Sequence, residues 1–304
     1  MTQKTPAVHG TAFLHGIHVP LVTPFTAAGA VAYEALEGLA HQAIDGGAAG
    51  ITALGTTAEA ATLVAAERDG VVDVCARVCR ERGAALLVGA GGGGTRAAGA
   101  ALAGLARWPE VAGALVLVPP FTRPTPEGVV AHFARLAATA PVPLVVYHVP
   151  YRTGLPLDAG TLRTIGALPG VAGVKYAAGL DDAAVALLGD LPAGFEVLAG
   201  DDVLLSPMLA LGAAGGILAS AHLATDRFVE LAAAWRAGEN GRARALGHAL
   251  ARLSAAAFAE PNPTVVKGVL HAQGRIPTAD VRLPLLPAGR QAVDAALTCL
   301  AELG

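Results

Sequence analysis

Lysine is nearly missing from this chain. Of 304 residues only Lys4, Lys175 and Lys267 are lysine, so 18 of the 21 basic residues are arginine. That skew marks a compositional drift toward Arg, Ala and Gly, and raw Ala and Gly frequencies therefore carry little information. Cysteine is scarce too. Cys75, Cys79 and Cys299 cannot build a disulfide framework, and Cys75 and Cys79, four apart on a helical stretch, read as small buried apolar residues. Charged residues make up 15%, against about 25% in an average domain. The formal net charge of −3 leaves no basic field for nucleic acid or an anionic membrane. Residues 1–16 hold no continuous apolar run, so no signal peptide is expected. Residues 203–225 contain no Asp, Glu, Lys or Arg and are long enough to span a bilayer. However, Pro207, Gly212, Gly215 and Gly216 interrupt them, and no basic anchor flanks them before Arg227. They read as a buried helix followed by a buried strand. H-E-x-x-H, C-x-x-C, Walker and G-x-S-x-G patterns are all missing, and the nine histidines are dispersed. The expectation is a cytoplasmic protein without metal or cofactor, and without nucleic-acid or membrane partners.

What is present is apolar: hydrophobic residues reach 54%, enough for a large core. Short apolar runs occupy residues 17–22, 50–54, 85–88, 114–118, 144–147, 171–174, 197–199 and 215–218. None alternates with polar residues, as expected of strands buried on both faces. Between them lie helical stretches at 33–45, 65–82, 95–107, 127–138, 158–166, 181–189, 203–211 and 226–237. Eight strand–helix units in roughly 240 residues match a closed (β/α)8 TIM barrel. An open doubly wound sheet, the competing arrangement, usually needs five or six strands. After Gly238 the strands stop, and residues 241–258, 264–273 and 288–303 read as helices separated by prolines. The division is a barrel over residues 1–238 and a C-terminal helical extension over 239–304.

In such a barrel, chemistry sits where the strands end. Lys175 closes the uncharged run Val171-Ala172-Gly173-Val174. An arbitrary strand-end lysine snorkels into water, but surface lysines are almost absent here, and a barrel strand end points into a pocket. A lysine shut away from bulk water loses the solvation of its ammonium form. The neutral amine attacks a ketone to form an imine, which then acts as an electron sink. Tyr147 ends the neighbouring run, where its hydroxyl can serve proton transfer. Thr56 and Thr57 lie between a strand and a helix. Alone they fit helix capping, but they could also hold a carboxylate. Arg152, in a loop fixed by prolines and a glycine, could pair with a second carboxylate as a fork. Gly216, at the end of the eighth run, is included among the substrate-binding residues. His148, beside Tyr147, belongs on the opposite strand face and reads as structural. Residues 89–94, Gly-Ala-Gly-Gly-Gly-Gly, match G-x-G-x-x-G and open a rival reading, an NAD-binding oxidoreductase. Glu110, the only acid at about the right distance, precedes the next strand instead of following it.

Gly55-Thr56-Thr57-Ala58-Glu59, Tyr147-x-Val149-Pro150-x-Arg152-Thr153-Gly154, Gly173-Val174-Lys175 and Gly200-Asp201-Asp202 occur in one order along the chain. Pro119 to Gly128, Pro261-Asn262-Pro263-x-x-Val266-Lys267 and Arg282-Leu283-Pro284 extend the set. Together they resemble the dihydrodipicolinate synthase / N-acetylneuraminate lyase family of class I aldolases, from Val19 to about Leu300. The resemblance implies a (β/α)8 barrel with a C-terminal helical extension, usually assembled as a homotetramer of dimers. It implies that Lys175 forms a Schiff base with pyruvate or a related 2-keto acid. By the same resemblance Thr57 holds the keto-acid carboxylate, Tyr147 and Thr56 relay protons, and Arg152 receives the distal carboxylate of an acceptor aldehyde. Small-molecule keto acids and aldehydes are the implied partners. The best single reading is 4-hydroxy-tetrahydrodipicolinate synthase. The alternatives are a 2-keto-3-deoxy sugar acid aldolase or dehydratase, and a non-catalytic keto-acid sensor. The chain also departs from the family pattern. Phe121-Thr122 stands where synthases carry two tyrosines, the second of which reaches a partner's proton relay. Ala58 replaces a glycine, Tyr151 a serine, His148 an asparagine, and Tyr176 a glutamate.

Overall fold

The computed structural model describes residues 10–303. Most of the N-terminal segment expected to lack a signal peptide, and Lys4 with it, lies outside the described residues. Eight parallel strands form a closed barrel in sequence order: β1 Gly16–Pro20, β2 Gly50–Ala53, β3 Ala85–Gly89, β4 Val111–Leu117, β5 Leu144–His148, β6 Val171–Tyr176, β7 Glu196–Ala199 and β8 Gly215–Ile217. β8 pairs back onto β1, which rules out the open doubly wound sheet. Every residue of β2, β5, β6 and β8 is buried, which explains why those runs show no polar alternation.

Alternation still decides which side chains meet. Leu87, Leu115, Val145, Tyr147, Leu198 and Ile217 form one cluster inside the barrel. Ile51, Val88, Ala114, Val146, Val174 and Val197 belong to a second cluster, between the strands and the surrounding helices. A short 3₁₀ turn, Thr11–Leu14, precedes β1 and inserts the fully buried Leu14 into the interior cluster. The C-terminal helices Asn240–Ala257, Thr264–Ala272 and Arg290–Ala301 share the outer cluster through Leu250, Val265, Val266, Leu270 and Ala296. They are thus continuous with the barrel's own packing. The charge-free stretch from residue 203 contains the short helix Leu205–Ala210, β8 and the turn Ala219–His222. Among the described residues no helix is long and apolar enough to cross a membrane. Cys75 and Cys79 are buried in the outer cluster, and burial raises both thiols.

Three buried histidines make stability depend on pH. Burial lowers His18 and His148 to about 4 and His222 to about 3, each from an ordinary value of 6.5. In the folded state all three stay neutral at pH values where the unfolded chain would protonate them. Their contribution is therefore complete above about pH 6.5 and is lost as pH falls toward 4. At about 1.4 kcal/mol per pKa unit, each offers up to roughly 3–5 kcal/mol. Asp202, raised by burial to about 6, and Asp201, raised by the same cause, act in the opposite sense, while His132, also lowered by burial, acts with the three. Thermal melts should show Tm nearly level above pH 7 and falling steeply between pH 6 and 4. His148→Asn should make that slope shallower. A Tm that stays flat from pH 6.5 to 4.5 would show that these imidazoles are not held neutral by the fold.

Candidate active site

β5 and β6 pair so that Tyr147 lies opposite Lys175, and His148 lies opposite Tyr176 one step further along. Alternation sends the first pair inward and the second outward. Lys175 Nζ sits 4.5 Å from the centre of the Tyr147 ring, and the two residues are only 5% and 7% exposed. Among the described residues no carboxylate lies within ion-pair distance of Nζ. The stem of Lys175 runs past Gly200, where any Cβ would come within 2.8 Å of its Cγ and 2.9 Å of its Cε. Glycine there makes room for the lysine, which gives Gly200-Asp201-Asp202 a steric meaning. On the outer side, His148 and Tyr176 are in ring contact at 5.3 Å, and the Tyr176 hydroxyl donates to Asp181 Oδ1 at 2.9 Å. His148 is structural, as its strand position indicates.

After β2 the chain enters a 3₁₀ turn, Thr56–Ala58, and exits through Glu59 in the left-handed region at φ 53°. This turn is tied down from several directions. The Thr23 hydroxyl donates to the Ala58 carbonyl at 2.7 Å. Asn262 Nδ2 donates to Thr57 Oγ1 at 3.0 Å. Glu59 accepts from Lys267 Nζ at 2.8 Å and from the Arg282 amide at 2.8 Å, while Lys267 also donates to the Thr23 carbonyl at 2.9 Å. The Lys267–Glu59 pair is fully buried; desolvation lowers the lysine, with Glu59 opposing. The C-terminal extension thereby fixes the loop that carries Thr56 and Thr57.

Two connected spaces open at this end of the barrel. The inner chamber, about 200 Å³, is lined by Lys175, Tyr147, Thr56, Thr57, Arg152 and Asp202, among others. A vestibule of about 950 Å³ lies beside it and includes Arg68, Gly89, Gly91 and Glu260. Thr56, Tyr147, Tyr151, Arg152, Phe258 and Asn262 line both. Tyr151 and Arg152 come from a one-turn helix, Pro150–Thr153, that follows β5 directly. Proline at its first position and left-handed Gly154 at φ 69° fix where it starts and stops. Asp202 accepts from the Ser220 amide at 2.7 Å and from its hydroxyl at 2.5 Å, which anchors the loop after β7 to the turn after β8.

Five of the six residues singled out in the sequence thus converge on one chamber. Gly216 does not. Ile217, its neighbour, faces the barrel interior, so Gly216 faces outward, where a Cβ would meet Leu205 and Leu218 at 3.0 Å. Its smallness serves helix packing. Phe121 and Thr122 line neither space; Phe121 is 91% exposed, with φ 68°. The glycine run has a packing cause at its first position. A Cβ on Gly89 would come within 2.1 Å of the Leu54 carbonyl oxygen. Sequence reading missed Glu59, Lys267, Asn262 and Asp202 as parts of this site. The scarcity argument that singled out Lys175 applies equally to Lys267, which also closes the Pro261-Asn262-Pro263-x-x-Val266-Lys267 motif. Among the described residues no group of His, Cys, Asp and Glu is arranged to hold a metal.

Comparison with known proteins agrees with this geometry. The family model described as "Dihydrodipicolinate synthetase family" matches residues 13–302. A 4-hydroxy-tetrahydrodipicolinate synthase from Synechococcus elongatus is 36% identical over 93% of this chain and 94% of its own. One from Neisseria meningitidis is 34% identical over 95% of this chain and all of its own. Among solved structures, a monomeric dihydrodipicolinate synthase variant superposes with a TM-score of 0.93 at 28% identity, covering 98% and 99% of the two chains. The Acinetobacter baumannii dihydrodipicolinate synthase, solved with pyruvate, gives 0.90 at 32% identity over 95% and 98%. A barrel with this lysine–tyrosine pair, matched along nearly its whole length, belongs to the dihydrodipicolinate synthetase family.

Proposed function

We propose that the chain is a Schiff-base lyase that joins a 2-keto acid, pyruvate in the simplest case, to an aldehyde, with 4-hydroxy-tetrahydrodipicolinate synthase as the specific activity. The observation that carries this reading is the buried Lys175–Tyr147 pair at the inner end of a chamber whose outer end holds Arg152. The neutral Lys175 amine adds to C2 of the keto acid, and loss of water leaves an imine. Loss of a C3 proton then gives the enamine, whose carbon attacks the aldehyde carbonyl. Water or another amine releases the product and restores the lysine. Tyr147, in contact with Lys175, carries protons to and from the carbinolamine and the new alkoxide, with Thr56 beside it. Thr57, oriented by Asn262, receives the keto-acid carboxylate. Arg152 receives the acceptor's own carboxylate through its guanidinium fork.

Tyr147→Phe should slow turnover by about 10²–10⁴, the usual value of a positioned general acid–base. Steady-state assays check it, and a rate within twofold of wild type removes Tyr147 from the mechanism. The reaction itself is tested by incubating the enzyme with pyruvate and a panel of aldehydes. Fastest consumption of a four-carbon aldehyde with a terminal carboxylate supports the synthase, and no consumption of any aldehyde contradicts it. The lack of a phenol from residues 119–124 in either cavity favours a second reading, a 2-keto-3-deoxy sugar acid aldolase or dehydratase. Preference for hydroxylated sugar acids in the same panel would select it. The NAD-binding alternative has lost its supports, since the sheet is closed and Gly89 is explained by packing. A cytoplasmic homotetramer or homodimer remains part of the proposal, and light scattering in solution tests the assembly.

A further inference from the structure

An acceptor aldehyde must bring its carbonyl carbon to the enamine formed on Lys175, while the rest of it extends outward. The route runs through the region whose residues line both the chamber and the vestibule. Six residues line both spaces there. Tyr147, Thr56, Thr57's partner Asn262 and Arg152 already have work in the mechanism. That leaves two aromatic side chains, Tyr151 and Phe258. Of these only Tyr151 carries a hydrogen-bonding group. It shares a single helical turn with Arg152, whose guanidinium carbon lies 4.8 Å from the centre of the Tyr151 ring. A guanidinium resting on a ring has lost part of its rotational freedom, so its fork is aimed before any anion arrives. Tyr151 is 73% exposed, as a residue at an entrance should be. Its phenol is raised by desolvation against the pull of Arg152, and the neighbouring Tyr147 and Asp201 add to the rise.

We propose that Tyr151 is a specificity-determining residue of the lyase: its ring aims Arg152 and narrows the passage, and its hydroxyl donates to the carboxylate that Arg152 pairs with. The ligand class is a short, unbranched aldehyde ending in a carboxylate. A phenolic hydroxyl supplies one neutral donor beside the two N–H groups of the fork, so a carboxylate oxygen gains a third hydrogen bond. A bulky or branched acceptor meets the ring instead. The proposal rests on the Schiff-base reading given above, and its test is built so that the two can fail separately.

Tyr151→Phe removes the hydroxyl and keeps the ring. KM for a four-carbon aldehyde with a terminal carboxylate should rise about tenfold, the value of a lost hydrogen bond to a charged group, with kcat within twofold. The KM for pyruvate should not move. Tyr151→Ser opens the passage, and the kcat/KM ratio of the short carboxylated aldehyde to a branched or aromatic one should fall more than tenfold. Both variants should retain the borohydride-trapped pyruvate adduct, which forms without any aldehyde. If both leave kcat/KM within twofold across the aldehyde panel, Tyr151 selects nothing. Loss of the pyruvate adduct in the variants alone would place Tyr151 at the keto acid and overturn the proposal. Absence of that adduct in the wild-type protein would instead overturn the reading beneath it.

Discussion

Lys175→Ala should abolish turnover, lowering kcat by roughly 10⁴-fold or more, the scale on which removal of a covalent nucleophile acts elsewhere. The fold should survive. Lys175 makes no ion pair among the described residues, and its principal neighbour is the Tyr147 ring. Removing it breaks no direct ion pair: Asp202, which Lys175 helps to lower, keeps both hydrogen bonds from Ser220, and the gap opens into an existing chamber, where water can enter. Melting within a few degrees of wild type, together with undetectable product, is the expected combination. Turnover at a tenth of wild type would mean that another group forms the covalent intermediate. A variant that fails to fold would mean that the lysine is chiefly structural. Lys175→Arg separates these cases, since it keeps length and charge but offers no amine that can become an imine.

The second large effect lies at the other buried lysine. Lys267→Ala should destabilise the protein by about 3–5 kcal/mol, because Glu59 is left buried and unpaired. With an unfolding entropy of about 2.1 cal/mol/K per residue, that is roughly 5–8 °C in Tm for a chain of this size. Glu59→Gln combined with Lys267→Met removes both charges and should recover much of the loss. A double variant as unstable as Lys267→Ala alone would show that the pair itself, not the orphaned charge, is what matters. Function should change as well. Glu59 directly follows the Thr56–Ala58 turn, so loosening it should raise KM for the keto acid even in the stabilised double variant. An unchanged KM would mean that the loop holds its shape through Thr23 and Asn262 alone.

The barrel was legible because its strands are buried on both faces. Runs such as residues 144–147 and 171–174 have no polar alternation, and only parallel strands covered by helices produce that pattern repeatedly. Strand ends shifted by a few residues: β4 begins at Val111, three residues before the run at 114, because Gly113 and Val111 pair with β3 without looking strand-like. The helix expected at 203–211 begins as a 3₁₀ turn, Asp202–Leu204, and ends at Ala210. The chamber was legible where chemistry is concentrated in single rare residues, Lys175 and Tyr147 above all. Gly216 lines neither space, and strand alternation already places it outward, since Ile217 beside it fills the interior. The hidden part is long-range. Asn262 reaches Thr57 across 205 positions, and Lys267 reaches Glu59 across 208. The motifs at 55–59 and 261–267 mark these residues, but nothing local to either motif says that the two meet.

The most direct test treats the wild-type protein with pyruvate and borohydride, then reads intact mass and the modified peptide. Reductive trapping of the imine should add a single pyruvate-derived group per chain, carried on Lys175 and absent when pyruvate is omitted. An unshifted mass, or a group found on any other residue, would contradict Schiff-base chemistry at this site.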